Sequence, residues 1–308
     1  MQALRLATLV LLGLGFGTGC GRIVGSGETL TLSMGETVMG AQGADEMAAE
    51  AAVRIDPGGT LRLVAADLRG GDSVVSKITT PSPGPGVLGL GAEVDVSGGT
   101  IRGGSVIFTN GPQGSLRGAT GVKLAAGWLS VSGGQIRGGA APPQGTPGNG
   151  VVALASRLTI SGGDLDSVGL SQSRAFVLGG RLGALVLSPI FVFDFFNPLL
   201  IDPIAPPSPS AESCVELRGG QVHGPIVLNE GSLFVVGSSF SLPFGEVPAA
   251  DPGAPGEIRL TGILETGDAI DVSIRRDAGR LILLDSGPPQ QEILAGGLCP
   301  EVLVTPAL

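Results

Sequence analysis

The sequence predicts an all-β protein built as a right-handed parallel β-helix, and three observations lead to this prediction. Gly accounts for 54 of the 308 residues and Pro for 23, a composition that suits short strands joined by tight turns. A helical bundle is disfavoured, because each Gly in a helix interior costs about 1 kcal/mol relative to Ala. Three segments, residues 86–102, 121–137 and 150–166, align without gaps, and each places Ser-Gly-Gly between two strand-like stretches.

Each repeat has the pattern of a strand, a turn and a second strand. Apolar residues such as Val94 and Val96 alternate with polar ones, which is the period of a half-buried strand. The glycines of Ser-Gly-Gly supply backbone angles that other residues resist. Beyond the turn, alternation predicts a buried aliphatic column, namely Leu68, Ile101, Ile136, Leu165 and Val222, with an exposed column beside it, namely Arg69, Arg102, Arg137, Asp166 and His223. Coils stacked about 4.8 Å apart would then share one core.

The repeats and their flanks predict four regions. Residues 1–19 form a signal peptide, and residues 20–54 form an N-terminal segment and possible cap that includes a short helix at 44–53. Residues 55–244 hold the β-helix repeats, interrupted by a loop at 138–148 and by an apolar, Pro- and Phe-rich insert at 189–208. Residues 245–308 form terminal coils and a C-terminal cap, because a solenoid must cover its end edges. A β-sandwich or a propeller is the structural alternative.

The first twenty residues indicate export. Arg5 supplies one positive charge, residues 6–16 form an apolar stretch, and small residues lead to Cys20, as in a secretory signal. The apolar stretch is too short to span a bilayer, which takes about 20 residues. The sequence Gly-Thr-Gly-Cys resembles a bacterial lipobox with Gly17 in place of the usual Leu, and this resemblance implies lipidation of Cys20 as the first mature residue. An ordinary cleaved signal is the alternative.

The remaining cysteines predict a crosslink. With Cys20 lipidated, Cys214 and Cys299 are left as an even pair, and such a pair in an oxidising compartment favours a disulfide. Two buried free thiols are the alternative. Two Cys and a single His at unrelated spacings give no zinc pattern, so neither a metal site nor a cofactor is expected.

The Gly-Val…Ser-Gly-Gly-x-Ile repeat, over roughly residues 55–285, resembles exported right-handed β-helix proteins of the pectin-lyase-like superfamily. The segment at 260–284 is also similar to the last coils of bacterial surface repeat proteins. The superfamily contains polysaccharide lyases and hydrolases, and the resemblance implies either calcium-binding acids with a basic Arg or clustered Asp residues with a Gly-His-Gly motif. This chain has no Asp-Asp pair, and its only histidine lies in Val222-His223-Gly224. No catalytic residue is therefore assigned.

The best pair of acids is Asp164 and Asp166. On a strand their side chains would share one face about 6.6 Å apart, close enough for a shared cation or for paired acid–base chemistry. The competing interpretation is an ion pair between coils, because Arg137 precedes Asp166 in the same outer column. Trp128 is predicted to point outward, where a lone indole could stack on a sugar ring.

The insert at 189–208 is the predicted partner surface. Its aromatic residues Phe191, Phe193, Phe195 and Phe196 lie among prolines that exclude a long helix. The insert either contacts a partner or folds back on the stack as a lateral cover.

These observations favour a non-enzymatic, exported surface scaffold or adhesin-like lipoprotein at the bacterial cell envelope, on the outer membrane or the cell surface. A polysaccharide-binding or polysaccharide-active β-helix is the alternative, and a subunit of an envelope assembly is a third hypothesis. The expected partners are a membrane, through the lipid anchor, and a protein or polysaccharide. Nucleic acid is excluded as a partner by the charge balance, since 27 acids exceed 18 bases and repel phosphates.

Overall fold

The computed structural model describes residues 21–44, 48–75, 82–108, 117–143, 145–189, 212–248, 256–287 and 299. The fold is a parallel β-helix whose main sheet curls through about 337° around an axis. Its strands form three parallel ladders, termed the first, second and third walls, and one strand from each wall makes a coil.

The first wall contains β1 (Arg22–Val24), β5 (Val53–Ile55), β9 (Val87–Leu90), β13 (Val122–Ala125), β16 (Val151–Leu154), β19 (Val168–Ser171), β21 (Leu185–Leu187), β23 (Ile226–Leu228) and the end of β27 (Ala269–Arg276). The second wall contains β2 (Thr29–Leu32), β6 (Thr60–Leu63), β10 (Glu93–Val96), β14 (Trp128–Val131), β17 (Arg157–Ile160), the start of β20 (Arg174–Leu182) and of β22 (Cys214–Val222), β24 (Ser232–Ser238) and β28 (Arg280–Asp285). The third wall contains β3 (Thr37–Met39), β7 (Asp67–Arg69), β11 (Thr100–Arg102), β15 (Gln135–Arg137), β18 (Asp164–Leu165) and the ends of β20 and β22.

The core is the set of inward columns, as the alternation of the sequence predicts. Leu68, Ile101, Ile136 and Leu165 are stacked in register and no more than 1 % exposed. Val222 is only half-buried, because among the described strands it is the last rung of the third wall and pairs on one side only. Burying one large aliphatic side chain contributes roughly 1.5–3 kcal/mol, so each coil depends on its neighbours for most of its stability.

The Ser-Gly-Gly turns form the corner between the second and third walls. Their second glycines, Gly99, Gly134 and Gly163, have φ angles of +77°, +78° and +86°, in the left-handed region that side chains with a Cβ disfavour. A Cβ on Gly134 would come within 2.8 Å of the backbone of the coil before it. Glycine therefore recurs at this corner because both the backbone angle and the spacing between coils require it.

Coil length varies because a lateral arch is present in some coils and absent from others. Equivalent residues Ser156 and Ser173 are 17 positions apart, which is the length of a coil without the arch. Earlier coils reach 35 positions, as between Ser105 and Ala140. The described extra residues lie between the third and first walls, namely residues 40–44, 48–52, 70–75, 82–86, 103–108, 117–121, 138–143 and 145–150; we term these residues the arch.

The arch is held by backbone hydrogen bonds between its outgoing and returning segments. The N–H of Gly84 donates to Gly71, that of Gly104 to Gly84, that of Ala119 to Gly104 and that of Gly139 to Ala119, at 2.7–2.9 Å. A Cβ on Gly104 would collide with the carbonyl oxygen of Gly71. The arch also contains a small parallel sheet of β4 (Gly43–Ala44), β8 (Ser73–Val75) and β12 (Val106–Phe108). The loop predicted at 138–148 belongs to this arch.

The helix predicted at 44–53 is wrong. Among the described residues of that segment, Ala44 ends β4 and Val53 begins β5. The N–H of Glu50 donates to Ala41, and the carbonyl of Glu50 accepts from Gly71 of the next coil. These bonds between segments use the groups that a helix would pair internally, so tertiary packing overrides the alanine-rich helix propensity.

The described C-terminal residues leave the parallel pattern. Strand β26 (Gly256–Leu264) pairs antiparallel with β27, and β25 (Gly245–Val247) pairs antiparallel with β28. The strand rhythm that the sequence shows after residue 257 therefore produces a hairpin followed by one more parallel strand, β28. The regional boundaries at residues 19, 54 and 244 stay predictions.

Candidate functional site

The acid pair Asp164 and Asp166 is bound by Arg137 of the preceding coil. Its Nη2 lies 2.8 Å from Asp164 Oδ2, and its Nη1 lies 2.5 Å from Asp166 Oδ1. The N–H of Gly138 donates to the second oxygen of Asp166 at 3.0 Å. The hydrogen bond to Asp166 raises the pKa of Arg137 against the opposing effect of its own desolvation. One guanidinium thus bridges the two carboxylates, as expected of an ion pair between coils.

His223 lies on the outer face of the third wall and is exposed. The Nε–H of Arg181 donates to His223 Nε2 at 3.3 Å. A histidine that accepts this bond lies beside a cation, and no acid among the described residues contacts its imidazole. This surrounding does not make a general base with an orienting carboxylate.

Cys214 and Cys299 are joined in a disulfide with their Cα atoms 5.7 Å apart. Cys214 begins β22 on the outward side of the second wall, yet it is only 6 % exposed, and Cys299 is 3 % exposed. The bond therefore fixes Cys299 against the outside of this wall.

Sequence reasoning did not identify the charged cluster beside this disulfide. Glu216 occupies the next outward position of β22 and is fully buried. Its Oε2 lies 3.2 Å from Arg218 Nη2, and its Oε1 accepts the N–H of Cys299 at 3.0 Å. Arg174 Nη2 lies 3.9 Å from the same Oε1. The sequence feature that could have indicated this burial is Cys214, two residues before Glu216 on the same outward face. A disulfide from Cys214 places its partner Cys299 on that face.

Glu230 lies near this cluster at the corner between the first and second walls. The hydroxyl of Ser213 donates to Glu230 Oε1 at 3.1 Å, and burial raises the pKa of Glu230 despite that hydrogen bond. Ser213 is buried beside a ladder of corner serines, Ser156 and Ser173, whose hydroxyls bond to backbone carbonyls. These hydroxyls therefore satisfy hydrogen-bonding groups at the corner, and they do not form the pairing that activates a nucleophile.

The second wall carries an exposed outer face over its middle coils. Strands β10, β14 and β17 place two outward columns side by side, namely Glu93, Trp128 and Arg157 in one and Asp95, Ser130 and Thr159 in the other. We term these six residues the Trp128 face. Trp128 is 54 % exposed, as its outward position predicts, and it is the only Trp in a chain without Tyr.

Arg157 closes the face on the side of the buried cluster. Its Cζ lies 5.5 Å from the centre of the Phe176 ring, whose other contact is Arg174 at 4.7 Å. Such cation–π contacts hold the guanidinium in place. Within the described residues Arg157 forms no ion pair, so its charge is available at the surface.

The other sites proposed from the sequence lie outside the described residues. These are the lipidation site Cys20 and the aromatic residues Phe191, Phe193, Phe195 and Phe196. Across the part of the chain that is described, no three His, Cys, Asp or Glu side chains cluster as metal ligands. The same residues include no helix with the length and hydropathy needed to cross a membrane.

Comparisons with protein-family models, with curated proteins and with solved structures find no match to this chain.

Proposed function

We propose that this protein is a non-enzymatic, adhesin-like scaffold exported to the bacterial cell envelope, similar in build to non-catalytic members of the pectin-lyase-like superfamily. The observation that carries the proposal is the engagement of Asp164 and Asp166 by Arg137. Acid–base chemistry on a sugar requires one carboxyl group that keeps its proton and a second group at a set separation. Here a single guanidinium contacts both carboxylates, which gives the acid pair a structural role between coils.

The N-terminal sequence and the disulfide support an exported location. The apolar stretch before Cys20 has the length of a signal sequence, and a structural disulfide is typical of proteins outside the cytosol. In this proposal the lipid on Cys20 holds the β-helix at a membrane of the envelope, and the three walls are presented to the surroundings.

The absence of catalysis is tested on polygalacturonate and on neutral polysaccharides. We expect no release of unsaturated or reducing ends above the background of a heat-denatured sample. Activity that disappears in Asp164→Asn or Asp166→Asn would refute the scaffold proposal, because neither substitution should matter to a purely structural pair beyond a small loss of stability.

The anchor is tested by growth with a radioactive fatty acid. We expect label on the wild-type chain and none on Cys20→Ala, while Cys299→Ala keeps the label and serves as the cysteine control. An unlabelled wild type would leave the chain as a secreted protein and remove the membrane from its partners.

The alternative function, polysaccharide binding, is favoured by one observation, the exposed indole of Trp128 between polar outward residues. Aromatic rings stack on the apolar faces of sugars. Because Trp128 is the only indole, its fluorescence reports on this face directly. A saturable change with an oligosaccharide, absent in Trp128→Phe by a label-free binding assay, would support this alternative.

A further inference from the structure

The Trp128 face has a charge order that is complementary to itself. Register pairing places Glu93 one coil before Trp128 and Arg157 one coil after it, all in one outward column. Adjacent coils are about 4.8 Å apart. A negative and a positive side chain therefore lie at equal distances on either side of a central exposed indole.

This order fits a twofold axis that lies in the plane of the face and runs along β14. Rotation about that axis keeps each column opposite itself and reverses the order of the coils. Trp128 then meets Trp128 of the second copy, and Glu93 meets its Arg157, in two equivalent ion pairs. In the second column, Arg62 of β6 comes opposite Phe176 of the second copy, since the two positions lie two coils from Ser130 on either side.

Among the described residues, the arch lies on a different side of the stack from the Trp128 face. The arch leaves the stack at the corner between the third and first walls, which is the corner opposite the second wall in a three-walled cross-section. Arg157 has no acidic partner among the residues that the structure describes, and its contact with Phe176 already restricts its side chain. A carboxylate of a second copy would therefore meet a guanidinium that has one existing contact, with Phe176, and no competing acid among the described residues.

We propose that a second copy of this chain binds face to face through the Trp128 face, giving an isologous dimer. A closed twofold contact uses the same patch on both copies, and a central Trp with Arg beside it is the residue pairing that dominates binding energy at protein interfaces. The face spans about four residues across and three to five coils along, which is smaller than the roughly 800 Å² per partner of stable complexes. The dimer is therefore weak in solution, and anchoring at a membrane would raise its effective concentration.

Charge reversal tests the dimer, using the chain with Cys20→Ser at protein concentrations from micromolar to millimolar. Sedimentation velocity should show that the wild type associates. The variants Glu93→Arg and Arg157→Glu should each associate at least tenfold more weakly than the wild type. The double variant Glu93→Arg/Arg157→Glu should regain it. An equal mixture of the two single variants should also associate, because each reversed charge then faces its opposite on the other copy.

Trp128 fluorescence gives a second readout of the same contact, with an emission shift that follows protein concentration and is lost in Arg157→Glu. Arg102→Glu is the matched control, since Arg102 is also exposed, outward on another wall and without an acidic partner in the described residues. A wild type that stays monomeric to millimolar concentration, or single variants that associate as the wild type does, would overturn the proposal. An emission change that requires a polysaccharide and ignores protein concentration would also overturn it and favour the alternative function.

Discussion

Individual charged side chains in this protein act mainly as links between successive parts of the chain. Asp268, in the turn between β26 and β27, is an example. Its Oδ2 accepts the hydroxyl of Thr266 and the N–H of Gly220, both at 2.7 Å. Gly220 belongs to the last described corner between the second and third walls, so this carboxylate ties the C-terminal hairpin to the stack. The bond from Thr266, followed by that from Gly220, lowers the pKa of Asp268.

We expect the stability that Asp268 contributes to depend on pH. Its folded pKa lies below the unfolded value of about 3.9, so the contribution is complete above that value and is lost as the pH falls through the folded pKa. Asp268→Asn should cost about 1 kcal/mol of unfolding free energy at pH 7, and the difference from wild type should shrink as the pH falls below the unfolded pKa of about 3.9. Urea unfolding at several pH values measures it. Thr266→Ser keeps the hydroxyl that donates to Asp268, so Asp268→Asn should cause the same loss of stability in that background. A loss that does not depend on pH would contradict the role given to the Asp268 carboxylate.

At the scale of the element, the corner and the arch explain why the chain contains so much glycine. The Ser-Gly-Gly corner combines a left-handed backbone angle with close approach of the neighbouring coil, as at Gly134. The arch requires close approach alone, as at Gly104. In both elements the glycine replaces side-chain packing by direct backbone contact between segments, and hydrogen bonds continue from one segment to the next.

Two substitutions, one in the turn between β26 and β27 and one at the corner, separate these contributions. Gly267→Ala, at φ +91° with open space around the added Cβ, should cost about 1 kcal/mol from backbone strain alone. Gly134→Ala, at φ +78° and against the preceding coil, should cost a further 1–3 kcal/mol from overpacking. The two losses are compared from the urea midpoints of unfolding, provided that the dependence of the unfolding free energy on urea is the same in both variants. Equal losses for the two variants would show that spacing between coils does not restrict this corner.

At the scale of the whole molecule, the disulfide joins residues 85 positions apart in sequence and fixes Cys299 against the second wall. The wall beneath it contains the buried Glu216, Arg174 and Cys214, whereas the Trp128 face two coils earlier is exposed. The crosslink thus accompanies the change from a covered wall to an open one. A carboxylate as buried as Glu216 is costly unless its partners stay in place.

Removal of the disulfide should therefore weaken the fold as a whole. Cys214→Ala/Cys299→Ala should lower the unfolding free energy by about 4–5 kcal/mol, the entropic effect of opening a loop of this length. Wild type in excess reductant should unfold with the double variant in urea. If reduction leaves the midpoint unchanged, the crosslink does not constrain the unfolded chain, and the covering of Glu216 would have to rest on other contacts.

The sequence by itself determined the features that repeat. Alternation placed Leu68, Ile101, Ile136 and Leu165 in one buried column, and Ser-Gly-Gly marked the corners, because period and turn chemistry are local properties. The sequence also predicted the outward position of Trp128 and an ion pair of Arg137 with Asp166 as one interpretation. Both follow because aligned residues of successive repeats are neighbours in a stack. These inferences needed only the pattern of one coil and the assumption that the next coil lies upon it.

Tertiary structure alone decided which backbone and side-chain groups from distant segments meet. Residues 44–53 have the composition of a helix, but Glu50 pairs its backbone with neighbouring segments of the arch. The strands after residue 257 have an ordinary β pattern, which does not distinguish a parallel coil from an antiparallel hairpin. Glu216 has the pattern of any outward residue of a strand, yet it is buried where Arg174, Arg218 and Cys299 meet its carboxylate. Burial and pairing depend on contacts far apart in sequence, which a local pattern does not encode.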